Sequence, residues 1–360
     1  MTPPTLSLSL RTVPLLLAAL LASCGGGSED SGGASSNTPY QGTLLNGTKC
    51  TVRYYAQSQP RQSAGTDPLY LTQWYLKNTG RLTGYSGLAA GEDLQVENVW
   101  ASGLRGENIR VAVVDDALEV THQDLAPNVV EGASYNYVSD GSWQRGSPWP
   151  LPCTSRQTHG TAVGGVVAAR DSNGLGGRGV APRASLVGYN ALANDLDSEV
   201  LDALVRDQGK NHIYNNSWGA EDDGHFNTPA SRSAQVGTIL NGLRNGRNGL
   251  GSIYTFAGGN GGANGDYSVL DGNVSMLGAI PVCGTNAAGK RAPYSEPGPN
   301  LIVCAPSSDV GQAKGSSLPD VTTTTLQNQY TAKFNGTSAA TPMISGVIAL
   351  MLQANPNLTW

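Results

Sequence analysis

Phenylalanine is almost missing from this chain: three residues in 360, set against 47 glycines, which describes a loop-rich protein of tight turns and close backbone approaches. Charge is sparse as well, at 14% of residues with a net of −5, and this argues against nucleic acid or an anionic membrane surface as a partner. No CxxC and no Cys/His spacing of the zinc-binding kind occurs. No internal repeat is evident, and no second apolar run of membrane-spanning length follows the N-terminal one. What is present is enough for a full core: 39% of residues are apolar, so the whole chain is not disordered and can form one large domain or two small ones.

The N-terminus carries an address. Arg11 precedes the apolar run Val13-Pro14-Leu15-Leu16-Leu17-Ala18-Ala19-Leu20-Leu21, too short to span a bilayer and built like the core of a secretory signal. It ends in Leu21-Ala22-Ser23-Cys24, which resembles the lipobox of bacterial lipoproteins, in which the cysteine is lipidated and becomes the mature N-terminus. The alternative is an ordinary signal cleaved near Ala22. Both readings place the rest outside the cytoplasm, and the lipid form implies a bacterial cell-envelope protein that meets the membrane only through its anchor. Residues 1–24 are thus expected to be a signal, 25–64 a flexible Gly/Ser linker with a short arm, and 65–360 the globular domain. In an oxidising compartment Cys50, Cys153, Cys283 and Cys304 can form two disulfides in three pairings. Cys283–Cys304 with Cys50–Cys153 is favoured, because Cys283 and Cys304 end two apolar runs suited to neighbouring strands.

From Asp67 onward, short β-branched runs alternate with helical stretches, the rhythm of a parallel sheet with crossover helices. The strands are expected at Ile109–Val114, Ser185–Tyr189, Ile213–Asn216, Ser252–Ala257 and Leu301–Cys304, with a helix over Glu199–Val205. Ligands of open α/β sheets bind beyond the carboxyl ends of the strands. There stand Asp115-Asp116, then Ser217-Trp218-Gly219, then Gly258-Gly259-Asn260. His159 opens a run of small and apolar residues suited to a helix against the sheet, whereas His122, His212 and His225 lack such a setting. Ser338 lies between a Gly-Thr turn and the apolar stretch from Ile344 to Leu352, at a helix N-terminus where free N–H groups and the dipole favour negative charge. A serine hydroxyl becomes a useful nucleophile only with a base in reach and an acid to fix that base.

The segments Val113-Val114-Asp115-Asp116, His159-Gly160-Thr161 and Gly336-Thr337-Ser338-Ala339 come in the order Asp, His, Ser, and with Asn260 they resemble the subtilase superfamily of serine proteases over Asp67 to Trp360. The resemblance implies an α/β fold, a doubly wound, mainly parallel sheet with helices on both faces. It implies Asp115 as orienter, His159 as general base and acid, Ser338 as nucleophile and Asn260 as oxyanion donor. Asp115-Asp116, the run Ser217 to Gly224 and Gly261-Gly262 are similar to the kexin/furin branch, which cuts after basic residues. Carried over by position, Asp222 and Asp271 flank the pocket for the residue before the scissile bond, Asp116 contacts the next residue and Asp202 a distal one. The acid this branch places before His-Gly-Thr is absent; Arg156-Gln157-Thr158 stand there. The resemblance also implies calcium, held at one site by Asp67, Asp124 and Asn173 with carbonyls of Arg170, Leu175 and Gly177, and at a second by Asp222, Asp266 and Glu296. The expected partners are polypeptides with basic residues, and the protein is expected to be monomeric. The residues before Asp67 are too few for the usual folding prodomain, and a β-sandwich domain is expected to follow the end of this chain.

Overall fold

The computed structural model describes residues 65–139, 145–225, 232–309 and 317–360. The expected signal, lipidation site Cys24, arm and Cys50 lie outside the described residues. Six parallel strands form the central sheet: β1 (Arg110–Val114), β2 (Ser185–Tyr189), β3 (Ile213–Asn216), β4 (Ile253–Ala257), β5 (Ala279–Thr285) and β6 (Val303–Pro306), in the order β2-β1-β3-β4-β5-β6. Four of the five expected strand runs match within one residue, and the last begins two residues later and ends two later. The chain steps from β1 to β2 on one side and then crosses back over β1 to β3 on the other, so the direction of winding reverses there. The switch point, and with it the crevice, lies at the carboxyl ends of β1 and β3.

Alternation along the strands divides the core into two layers. Val111, Val113, Ile213, Ile253 and Val282 face one side with α2 (His159–Ala168) and α5 (Thr337–Ala354). Ala112, Val114, Val187, Tyr214, Tyr254 and Phe256 face the other, with α3 (Asp197–Ala203) and α4 (Arg232–Asn245). Tyrosine fills the volume that phenylalanine leaves empty: Tyr189, Tyr214 and Tyr254 are fully buried, and Tyr254 sends its hydroxyl to the Leu204 carbonyl at 2.9 Å. Helix α5 is apolar and long enough to cross a membrane, but it is mostly buried beneath the sheet and serves as a core helix.

Cys283 and Cys304 are direct partners in the β5–β6 register and form a disulfide, as expected from the two runs. Cys153 is also disulfide-bonded. Helix α4 has no counterpart in the sequence reading, and neither has the antiparallel hairpin of β7 (Val321–Thr325) and β8 (Gln329–Phe334). Its turn places Gln327 and Asn328 at φ of 60° and 58°, which glycine usually supplies and glutamine rarely adopts. The hairpin packs on α2, where Thr323 and Thr324 donate their hydroxyls to the carbonyls of Ala162 and Thr161 at 2.8 and 2.7 Å.

Candidate active site

Strand β1 ends at Val114, and the next residue, Asp115, is buried to 1% exposure. Its carboxylate takes both contacts of the His159 Nδ1 position, at 2.8 Å to Oδ1 and 3.0 Å to Oδ2. That pairing fixes the tautomer with hydrogen on Nδ1 and leaves Nε2 as the basic nitrogen. Helix α2 can approach β1 this closely because residue 160 is glycine. A Cβ there would collide with the Ala117 carbonyl oxygen and come within 2.8 Å of the Asp115 Cβ. The edge of the Phe334 ring, at the end of β8, closes over the imidazole with centroids 5.5 Å apart. Burial opposes the imidazolium, but the charge and hydrogen bond of Asp115, with the charge of Asp116, outweigh it and raise His159 to about 9.

Ser338 is the second residue of α5, so its N–H has no partner within the helix. Its hydroxyl donates to the Ser217 carbonyl at 2.8 Å, a resting position at the end of β3. Asn260 follows β4. Its Oδ1 accepts from the backbone N–H and the hydroxyl of Thr337, at 2.7 and 3.0 Å, which orients the amide and leaves its NH2 without a protein partner among the described residues. Thr337, the residue beside Ser338, therefore orients the Asn260 amide, a link that no motif in the sequence announced. Trp218 also went unassigned beforehand. Its indole N–H donates to the Val114 carbonyl at 2.9 Å and so ties the end of β3 to the end of β1.

The other acidic residues singled out in the sequence fall into five settings. Asp116 turns toward α2, where its oxygens accept from the N–H groups of His159 and Gly160 at 3.3 and 2.9 Å. Asp202 is engaged within the chain: Oδ2 accepts from the Tyr137 hydroxyl at 2.5 Å and pairs with Arg206, whose guanidinium lies 3.5 Å from the Tyr135 ring centroid. Asp271 is buried behind Gly219 and accepts from the N–H groups of Ala220 and Asn273 at 3.1 and 2.6 Å; burial raises it from its ordinary value.

Asp222, Asp266 and Glu296 converge on a glycine cradle. A Cβ at Gly259 would collide with the Glu296 carboxyl, and one at Gly261 would lie 2.7 Å from Asp266 and 3.1 Å from Asp222. Burial raises Glu296 to about 8, and the charges of Asp266 and Asp222 add to the rise. Asp271 joins these three in lining a cavity of about 10 Å³, room for a bare cation or one water. At the first predicted metal site, Asp67 and Asp124 are both buried and both raised by burial, Asp124 to about 7 with the charge of Asp67 adding to its rise, while Arg178 opposes the rise of Asp67. Asp124 Oδ2 has no hydrogen-bond partner, while Oδ1 accepts from Asn173 at 2.7 Å and Asp67 pairs with Arg178. In the adjoining loop the carbonyls of Ser172, Gly176 and Arg178 accept hydrogen bonds, whereas those of Arg170, Leu175 and Gly177 take none from the described residues. Both donor sets are oxygen-only and suit a hard cation such as calcium. No group of three or more His, Cys, Asp or Glu with ready metal geometry occurs among the described residues.

A model of the subtilase family, Peptidase S8, matches residues 106–360, and the chain belongs to that family. It is 38% identical over 303 residues to neuroendocrine convertase 2 of Caenorhabditis elegans, covering 82% of this chain and 44% of that protein. It is 37% identical over 303 residues to mouse furin, covering 82% of this chain and 35% of furin. Among solved structures, the serine protease of Aeromonas sobria superposes with a TM-score of 0.70 at 30% identity, over 84% of this chain and 57% of that one. The chain thus spans less than half the length of the curated relatives it matches.

Proposed function

We propose that the protein is a calcium-dependent serine endopeptidase that cuts polypeptides after arginine or lysine through an acyl-enzyme. The observation that supports this reading is that four residues stand at strand ends and helix starts in two hydrogen-bonded groups. Asp115 is bonded to His159, Asn260 is oriented with its amide N–H groups open, and Ser338 sits at the start of α5. In the reaction, Ser338 Oγ leaves the Ser217 carbonyl and passes its proton to His159 Nε2 as it attacks the substrate carbonyl. Asp115 stabilises the resulting imidazolium, and the same proton then goes to the leaving amine. The oxyanion is met by the Asn260 amide and the Ser338 N–H, reinforced by the α5 dipole. Water deacylates the enzyme by the reverse sequence.

Basic specificity draws on Asp222 and Asp271, since a guanidinium leaving water requires a carboxylate partner, and on the similarity to the convertases. Calcium is held by Asp67, Asp124 and Asn173 and by Asp222, Asp266 and Glu296, where it would neutralise carboxylates that face one another. We read the N-terminal segment as a signal ending at Cys24, with lipid tethering the catalytic domain to the cell envelope.

The small volume of the acidic cavity favours a second reading, in which the cluster only holds calcium and the enzyme is a degradative subtilase of broad specificity. Fluorogenic peptides ending in Arg, Lys-Arg, Leu and Phe, offered to the calcium-loaded protein, separate the two. Faster turnover of Arg peptides is expected, and faster turnover of Leu or Phe peptides supports the second reading. Fluorophosphonate labelling at Ser338 is expected as well; folded, calcium-loaded protein that took no label would instead be a binding lipoprotein with a subtilase fold.

A further inference from the structure

We propose that Asp116 is a positioning residue of the active site, which seats the helix bearing His159 and sets a second negative charge beside the imidazole. The proposal rests on the peptidase reading above. Helix α2 opens at His159 without help from its own sequence: Thr158 makes no side-chain cap, and no acidic residue lies in the first turn. The first N–H groups of a helix have no partners within it and require acceptors from elsewhere. Here the acceptor comes from the end of β1, where Asp116 Oδ2 takes the His159 N–H and Oδ1 takes the Gly160 N–H.

The two neighbouring acids divide the work. Asp115 holds the side chain of His159 while Asp116 holds its backbone, and the Asp116 N–H donates to Asp115 Oδ1 at 2.8 Å, so one turn of chain orients both. The loop before the helix is tied to the same point, since Gln157 donates to the Asp116 carbonyl at 3.4 Å and accepts from the N–H groups of Cys153 and Thr154 at 2.6 and 3.0 Å. The charged groups that bear on His159 are Asp115 and Asp116 from β1, while β8 presents the uncharged Phe334. Each Asp116 oxygen accepts one N–H of the helix, so the carboxylate is anchored to α2 whatever the substrate presents.

The test uses Asp116→Asn, which keeps an acceptor and removes the charge, and Asp116→Ala, which removes both. In Asp116→Asn the NMR titration of the His159 ring is expected at lower pH than in the wild type, with the acid limb of kcat/KM moving the same way. In Asp116→Ala kcat is expected to fall by roughly tenfold to a hundredfold, since misplacing a catalytic group costs rate in that range. The ratio of KM values for Lys-Arg and Val-Arg peptides stays unchanged in both variants. An unmoved His159 titration in Asp116→Asn overturns the proposal, as does a loss confined to Lys-Arg peptides through KM. If the wild type hydrolyses no peptide, the peptidase reading fails, while the His159 titration still decides the role of Asp116.

Discussion

Carboxylates occur in two kinds of setting in this molecule. At the triad, Asp115 and Asp116 face donors that the chain supplies, namely an imidazole and two helix N–H groups. At the cradle beneath Gly259 carboxylates face carboxylates, at the Asp67–Asp124 pair Arg178 meets Asp67 alone, and burial pushes Glu296 and Asp124 up to about 8 and about 7. In the first setting the chain supplies donors to both acids, although burial and the Asp115 charge still raise Asp116 to about 7. The second is electrostatically incomplete until a cation or a proton enters. One residue type therefore serves two purposes, and what differs is which element each carboxylate meets at its strand end or loop.

The triad setting should show the largest losses on substitution. Ser338→Ala removes the nucleophile, and peptide hydrolysis is expected to fall by about 10⁶-fold in kcat, read by steady-state turnover. Asn260→Ala leaves the triad in place and deletes one oxyanion donor, so kcat should fall by about 10²–10³-fold with KM little changed. A large rise in KM at constant kcat would instead make Asn260 a binding residue.

The incomplete setting should respond to solution conditions more than to any single side chain. A carboxyl raised in the folded state holds its proton there after the unfolded chain has released it. Between about pH 4 and 8 the folded form of the metal-free protein therefore binds more protons, and stability falls as pH rises. With EDTA the melting temperature is expected to be lower at pH 8 than at pH 5.5, and calcium should raise it by mass action, more at pH 8. A melting temperature indifferent to EDTA at both values would erase the contrast between the two settings.

Much of this site was legible in one dimension, because each chemical residue lies next to a signal of local structure. Asp115 follows a β-branched run, His159 starts a run of small residues, and Ser338 precedes an apolar helix. The parallel strands were legible for the same reason, since a strand buried on both faces reads as a continuous apolar run. The β7–β8 hairpin was not, because its turn uses Gln327 and Asn328 in a left-handed conformation that their identities do not advertise. Nor did position in the chain reveal the engagement of Asp202 by Arg206 and Tyr137. That arrangement depends on a contact across 65 residues and on a cation over the Tyr135 ring.

The sequence by itself determined the order of strands along the chain, one disulfide, and the placing of Asp115, His159, Asn260 and Ser338 beside strand ends and helix starts. These follow from residue type and immediate neighbours. Only the tertiary structure decided what each acid does. The function of a carboxylate depends on whether donors or other carboxylates surround it, and those neighbours arrive from remote segments. Asp116 and Asp222 look alike in the chain. One meets the N-terminus of α2, and the other meets Asp266 and Glu296 around a glycine cradle.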